Sequence, residues 1–150
     1  MKDQRDRIVA EARGWIGTPY LHQASVRGAG ADCLGLLRGV WRGVIGSEPE
    51  VVPAYTPDWS EPGRIEELWQ ASLRHLLPKV LADEDHGDIL LFRMRDGAVA
   101  KHLGIAARTG GPKGPSFIHA YTGHGVVESP LSDPWRRRIV ARFVFPKGAA

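Results

Sequence analysis

The stretch Gly30-Ala31-Asp32-Cys33-Leu34-Gly35 decides how this chain is interpreted, because it contains the only cysteine among 150 residues. It follows a glycine-rich loop and opens a segment, residues 33–45, whose apolar spacing predicts a helix. Farther along, two predicted strands each carry a histidine, His102 and His119. A thiol at a helix start, followed by two strand histidines, can supply the nucleophile, the base and the orienting group of thiol catalysis. The pattern therefore predicts a small cysteine hydrolase.

Length and composition indicate a single globular domain over residues 1–150. The chain is 43% hydrophobic and 25% charged, with a formal charge of +3 that gathers late, in Trp135-Arg136-Arg137-Arg138, Arg142 and Lys147. A solvated face is the simpler interpretation of this cluster, and contact with nucleic acid or with an anionic cell wall is the alternative. We expect no nucleic-acid partner.

The cysteine count and the N-terminus bear on the compartment. One cysteine cannot form an internal disulfide, so no oxidising compartment is indicated. The first residues lead into an amphipathic pattern without the apolar core of a signal peptide, and no segment approaches the ~18 apolar residues of a membrane span. We expect synthesis in the cytoplasm without a signal peptide and no membrane span.

Hydrophobic periodicity divides the chain into a helical part and a strand part. Helical spacing predicts helices over residues 3–15, 33–45 and 61–77, the last ended by Pro78, with a loop at 46–60. After Gly87 the period becomes two and predicts strands. These predicted strands cover residues 88–92, 102–107, 116–121, 126–128 and 138–145. Helices followed by a strand meander predict an α+β fold with an antiparallel sheet.

The predicted helix after Cys33 has one unusual side. Three glycines recur every four residues and therefore share it: Gly35, Gly39 and Gly43. Each costs a helix about 1 kcal/mol relative to alanine, so a close packing partner is expected. In strand 102–107, His102 shares its face with Gly104 and Ala106. We expect this small face to receive the glycine side of the helix.

The chemistry of a thiol nucleophile sets further expectations. A free thiol has a pKa of about 8.5, which a helix N-terminus and a nearby histidine lower. The backbone N–H of Cys33 is one of the unpaired donors of the first turn and can stabilise an oxyanion. If the next strand is a neighbour, His119 can hydrogen-bond His102 and hold its useful tautomer.

Simpler interpretations exist for each of these residues. Cys33 can be a small buried apolar residue, and either histidine can be a satisfied core or surface residue. A zinc site of Cys33, His102 and His119 is possible in ligand type, but the close paired spacing of structural sites is lacking. We therefore expect no metal. The remaining histidines have no comparable context and are predicted to lie at the surface: His22, His75, His86 and His124.

With these residues assembled, the chain resembles the NlpC-type papain-like cell-wall peptidases over nearly its whole length. The matching pieces are Gly17-Thr18-Pro19-Tyr20, Asp32-Cys33-Leu34-Gly35, Gly87-Asp88-Ile89-Leu90, His102-Leu103-Gly104-Ile105 and His119-Ala120. Within the family it looks most like the compact peptidases encoded with phage tails and gene transfer agents. The supporting stretches are His22-Gln23-Ala24-Ser25, Gly39-Val40-Trp41-Arg42, Leu91-Phe92-Arg93-Met94 and Val127-Glu128-Ser129.

The resemblance implies a papain-like fold, with N-terminal helices and the nucleophile at a helix N-terminus, packed on an antiparallel sheet. It implies Cys33 as nucleophile, His102 as general base and later acid, and His119 as orienting group. Tyr20 would assist the oxyanion or position substrate, unless it is a core aromatic at a turn. Asp32 would cap the helix, which is its minimum role, or recognise a free amino group on a peptide stem.

The implied reaction is hydrolysis of an amide in the peptidoglycan stem, commonly between γ-D-glutamate and a diamino acid, through a Cys33 thioester without a cofactor. The implied setting is a bacterial phage-like particle whose tail-tip or baseplate proteins carry the enzyme to the wall. Two departures lie near the expected cleft: Leu34 replaces the usual serine, and Leu21-His22-Gln23 replaces a small, glycine-rich stretch. An amidase or acyltransferase on another substrate, and a tail-assembly module with incidental catalysis, are the alternatives.

Overall fold

The first helix follows the predicted apolar spacing and ends where glycine turns the chain. In a computed structural model, which describes residues 3–50 and 66–148, α1 covers Gln4–Gly14. Asp3 caps it by accepting a hydrogen bond from the backbone N–H of Asp6 at 2.9 Å. Gly17 then adopts a φ of +95°, which suits glycine and redirects the chain toward the loop before Cys33.

The second helix carries the cysteine at its first position. Helix α2 covers Cys33–Val40 and continues into a π-helical turn, Trp41–Ile45. The predicted helix over residues 33–45 is thus confirmed in extent, while its last five residues are wound more widely than an α-helix. Before it stands a small hairpin that periodicity did not reveal, β1 (Ser25–Val26) paired with β2 (Gly30–Ala31).

The third helix, α3 (Glu67–His75), is shorter than the prediction of residues 61–77. Residues 61–65 of that prediction lie outside the described residues. At the other end the helix stops at His75, because Leu77–Lys79 form a strand, β3, instead. Pro78 is compatible with β3 because β3 is an edge strand, the place in a sheet where proline is found.

The sheet has six antiparallel strands among the described residues, in the order β3-β8-β4-β5-β6-β7. Its remaining strands are β4 (Ile89–Phe92), β5 (His102–Ala106), β6 (Ser116–Tyr121), β7 (Gly125–Pro130) and β8 (Ile139–Val144). All five predicted strands are present with small shifts at their ends. The short helix α4 (Asp133–Arg136), which was not predicted, precedes β8. The α+β prediction is confirmed.

The two faces of the sheet have different partners. The first two helices bury the face that carries Leu103, Ile105 and Ile118 in the main core. By strand alternation, His102 and His119 belong to the opposite face, with Phe117. That face forms a smaller core, whose members are Leu90, Phe92, Ala106, Phe117 and Leu131, with Met94, Trp135 and Ile139 against them.

The glycines of α2 do not face the small side of β5, so that prediction is wrong. A Cβ on Gly35 would stand 1.8 Å from the Ala24 carbonyl oxygen, and one on Gly39 would stand 2.0 Å from the Trp15 ring. The glycine side therefore packs against the C-terminal end of α1 and the loop before β1. Gly104 instead makes room within its own sheet, because a Cβ there would meet Phe117 at 2.8 Å.

A buried ion cluster ties the first helix to the sheet. Asp88, at the start of β4, is fully buried and accepts from Arg5 at 2.7 Å, Arg142 at 2.9 Å and Lys79 at 3.0 Å. Arg142 therefore belongs to the interior and not to a late basic surface. Of that predicted cluster, Arg136 also pairs with Glu84.

Candidate active site

The N-terminus of α2 is fixed by Asp32. One carboxylate oxygen accepts from the Gly35 N–H at 2.7 Å and the other accepts from the Gln23 N–H at 2.8 Å. The predicted capping role is confirmed. Since both oxygens are engaged and Asp32 is only 3% exposed, the carboxylate holds the Cys33 turn in place and joins it to the preceding loop.

The Cys33 thiol lies against the start of β5. Its Sγ donates to the carbonyl oxygen of Lys101 at 3.6 Å and also interacts with the backbone of Leu103, so it contacts both neighbours of His102 in the chain. Burial raises the pKa of the thiol to about 12, and the Asp32 charge acts in the same direction. The expected lowering by the helix end is thus outweighed, and the resting sulfur keeps its proton.

The two strand histidines form a direct pair, as predicted. Nε2 of His102 and Nδ1 of His119 are 2.8 Å apart, and the rings meet edge to face at 80°. Burial lowers the pKa of His102 to about 3, with His119 adding to the effect. Burial likewise lowers the pKa of His119 to about 4, with His124 adding to it. Both imidazoles are therefore neutral near pH 7, which a general base requires.

The pairing of the two histidines follows from strand register. Strands β5 and β6 pair Ile105 with Ile118, so continuing this register sets His119 opposite Gly104 and diagonal to His102. Diagonal neighbours on one face are within reach of ring side chains. The nitrogens of the two imidazoles face each other at hydrogen-bond distance, which leaves no room for a zinc ion between them.

A serine on β7 continues the hydrogen bonding of the histidine pair. Ser129 of β7 has its Oγ 2.9 Å from Nε2 of His119. It lies opposite Phe117 in the pairing of β6 with β7. Sequence reasoning gave Ser129 no role, because the register that sets a residue of β7 beside His119 is not visible in the periodicity.

Aromatic rings enclose both histidines. Trp135 of α4 lies 5.7 Å from the His102 ring and 5.1 Å from the His119 ring, measured between centroids. Tyr121 stacks on His119 at 5.3 Å, and His124 stacks on Tyr121 at 5.2 Å. These apolar surfaces account for the burial that keeps the imidazoles neutral. A tryptophan beside three arginines in the sequence gave no sign of this contact.

Tyr20 stands near the cysteine, as expected. Its hydroxyl hydrogen-bonds the Thr122 side chain, and its ring packs against the main core. Its pKa is raised by burial first, and the charges of Cys33 and Asp32 act in the same direction. Tyr20 thus packs against the core, as one interpretation expected, and also lies near Cys33, as the other expected.

The loop between Tyr20 and α2 has an unusual conformation. Gln23 has a φ of +66°, and it is the only non-glycine residue with positive φ in the part of the chain that the structure describes. This is the stretch where the sequence departs from a glycine-rich pattern. A hydrogen bond from the Gln23 N–H to the Asp32 carboxylate stabilises this strained backbone conformation. Leu21 in the same loop is 56% exposed.

Comparison with known proteins assigns the fold. This chain has the α+β fold of solved NlpC/P60 proteins. Its own cysteine lies at a helix N-terminus. An NlpC/P60 family protein from Bacillus cereus superposes with a TM-score of 0.65 at 17% identity, covering 94% of this chain and 40% of that one. No family model matches the chain.

Two further proteins bear on function. The murein DD-endopeptidase MepS/murein LD-carboxypeptidase of Escherichia coli is 28% identical over 137 residues, which is 91% of this chain and 60% of the relative. The chain thus spans less than two thirds of that curated relative. RipD of Mycobacterium tuberculosis is a non-catalytic NlpC/p60 domain protein adapted to peptidoglycan binding; it has a TM-score of 0.56 and 14% identity, and the match covers 96% of this chain and 98% of RipD.

Among the described residues, no helix is both long and apolar enough to cross a membrane.

Proposed function

We propose that this chain is an NlpC-type cysteine peptidase that hydrolyses an amide bond in peptidoglycan peptide stems. The observation that carries the proposal is that the Cys33 thiol lies against the start of β5, the strand whose His102 is hydrogen-bonded to His119. The Cys33 thiol contacts the backbone on both sides of His102, and His102 is bonded to His119 at 2.8 Å. The likeness to the E. coli murein peptidase supports the substrate class.

The hydrogen bond between the two histidines suggests which nitrogen acts as the base. Nε2 of His102 is occupied by His119, so Nδ1 is the nitrogen left to act as base. As a stem carbonyl enters, the thiol leaves the Lys101 carbonyl oxygen, transfers its proton to Nδ1 and attacks the carbonyl carbon. A resting ion pair is not required, because a neutral thiol and a neutral imidazole exchange the proton during attack.

The remaining steps use groups already in place. The negative oxygen of the tetrahedral intermediate is stabilised by the Cys33 N–H, and the Tyr20 hydroxyl assists. Collapse breaks the C–N bond, and the leaving amine takes the proton from His102. Water, deprotonated by the same nitrogen, then cleaves the thioester and restores the thiol.

For the bond itself we propose the γ-D-glutamyl–diamino acid amide. The second candidate is a DD cross-link, because the E. coli relative is named as a DD-endopeptidase. Leu34 and the Leu21-His22-Gln23 loop lie close to Cys33 in the chain and would line the approach to the thiol. Their bulk, in place of serine and glycine, is expected to select among stems.

We also propose the setting of a phage-like tail particle, with tail-tip or baseplate proteins as partners and synthesis in the bacterial cytoplasm. The sequence stretches shared with tail-encoded peptidases support it. The arginines that remain near the surface beside Trp135 are the candidate wall or docking contact, since Arg142 is buried.

The main competing function is peptidoglycan binding without cleavage, which the non-catalytic RipD favours. The other is an amidase or acyltransferase on a different substrate, using the same thiol. Presence of the thiol together with a bonded histidine pair supports catalysis over binding alone.

Digestion of purified peptidoglycan by the wild type and by Cys33→Ala, with mass spectrometry of the fragments, tests these functions. A matched control is His75→Ala, since His75 lies on α3, outside the proposed site. Fragments from wild type and control but not from Cys33→Ala establish the peptidase, and their masses identify the bond. Binding of all three proteins to the wall without any fragments would favour the RipD-like function.

A further inference from the structure

We propose that Ser129 is a positioning residue of this site, which accepts a hydrogen bond from His119 and thereby sets the proton positions of both histidines. The part of this inference that concerns catalytic turnover rests on the proposed function. Its effect on the histidine tautomers and on thiol reactivity, however, can be observed without a substrate.

The geometry is a continuous chain of hydrogen-bonding atoms. Nε2 of His102 lies 2.8 Å from Nδ1 of His119, and Nε2 of His119 lies 2.9 Å from Oγ of Ser129. The Cys33 thiol lies against the backbone next to His102 at the other end. Each neutral imidazole carries one N–H and one lone pair. The nitrogen that carries the proton on one ring therefore determines which nitrogen carries it on the next.

Only two arrangements satisfy every bond in this chain. In the first, Nε2 of His119 donates to Ser129, Nδ1 of His119 accepts from Nε2 of His102, and Nδ1 of His102 keeps a free lone pair. In the second, Ser129 donates to Nε2 of His119, and Nδ1 of His119 donates to Nε2 of His102. Nδ1 of His102 is then protonated and cannot take the proton of Cys33. The first arrangement is active and the second is not.

The surroundings of Ser129 favour the first arrangement. Ser129 is half-buried on β7, which is an edge strand, so its own O–H can donate to solvent while its oxygen accepts from His119. On the other side, His119 is fully buried among the rings of Phe117, Tyr121 and Trp135. Stacked rings offer its N–H no lone pair comparable to that of the hydroxyl.

Two variants of equal shape isolate the hydroxyl. Ser129→Thr keeps an oxygen at this position, whereas Ser129→Val replaces it with a methyl group, and both β-branched residues suit a strand. The matched control is Ser116→Ala, which removes another serine hydroxyl of the same sheet, bonded to Glu128 at 2.7 Å instead of to a histidine.

The readouts are nitrogen-15 NMR of the histidine tautomers, the alkylation rate of Cys33 by iodoacetamide at pH 7, and kcat and KM on stem peptides. In the wild type, Ser129→Thr and Ser116→Ala, we expect both buried histidines to carry the proton on Nε2. In Ser129→Val we expect mixed tautomers, alkylation and kcat lowered by about tenfold, and an unchanged KM, as for loss of other orienting partners.

The proposal is overturned if Ser129→Val, folded as judged by circular dichroism, keeps the wild-type tautomers and alkylates like Ser116→Ala. Because the chain has one cysteine, alkylation reports on Cys33 alone. A wild type that leaves peptidoglycan intact would contradict the proposed function. The tautomer and alkylation readouts would still decide the role of Ser129.

Discussion

Two groups of histidines in this molecule have opposite electrostatic surroundings. His102 and His119 are enclosed by aromatic rings, and burial lowers their pKa to about 3 and about 4. His86 lies near the surface between Asp6 and Asp85, at 2.9 and 2.8 Å; burial opposes its charging, but the two carboxylates raise its pKa overall. Burial away from carboxylates thus favours the neutral form of a histidine, whereas two neighbouring carboxylates favour its protonated form.

The largest expected difference between the groups is in catalysis. His102→Ala removes the proposed base, and loss of a member of a catalytic triad lowers kcat by about a thousandfold or more. His86→Ala removes a surface link and is expected to leave kcat within about twofold, since surface changes away from a site are mild. Rates on stem peptides at pH 7 compare the two variants. Equal losses in both would contradict the assignment of the base.

The second difference concerns stability in acid. The unfolded histidines bind protons near pH 6.5, whereas the folded pair resists protonation until about pH 3–4, so stability falls as pH falls through this window. Between pH 7 and pH 5 each buried histidine is expected to cost about 2 kcal/mol, or about 4 kcal/mol together. Urea unfolding at the two pH values measures this loss.

The matched variant for acid stability is His119→Gln, which removes one titrating group and keeps polar atoms. We expect its stability loss between pH 7 and pH 5 to be about half that of the wild type. A variant whose stability falls as much as that of the wild type would show that other groups dominate in this range.

The third prediction concerns Gly104, which lies opposite His119 in the register of β5 with β6. Gly104→Ala is expected to lower the free energy of unfolding by about 1–3 kcal/mol, because its Cβ would stand 2.8 Å from the fully buried Phe117 ring. Gly110→Ala is the control, since nothing lies within 4 Å of a Cβ there. Urea unfolding at pH 7 compares them, and equal stability of the two variants would exclude the steric role of Gly104.

The sequence was sufficient for the cysteine, its cap and the histidine pair. Asp32 before Cys33 is a local signal, and strand alternation together with the assumption of neighbouring strands predicted the bond between His102 and His119. These features depend on residues close in sequence or on a simple period of two. They are therefore visible without a structure.

The partners of the site were less accessible to sequence reasoning. The three glycines predicted a close neighbour for one side of α2, but periodicity does not identify that neighbour. The glycine side was expected to face β5, whereas it packs against Trp15. Ser129 depends on the register between two strands, and Trp135 on a helix of only four residues. The prediction that the pKa of the Cys33 thiol is lowered was also wrong. Burial raises this pKa, and burial depends on the whole fold.

The smallest expected effect completes the contrast between the two groups of histidines. His86 links the loop before β4 to α1, and its pKa is raised in the folded protein. Its stabilisation is therefore fully present below about pH 6.5 and is lost as the pH rises through the folded pKa. His86→Ala is expected to cost less than about 1 kcal/mol at pH 6, in the range of partly exposed ion pairs, and almost nothing at pH 9. Thermal unfolding of wild type and variant at both pH values measures it, and a larger cost at pH 9 would reverse the assigned sign. Since acid strengthens this link while it destabilises the buried pair, the two effects oppose each other within the same fold.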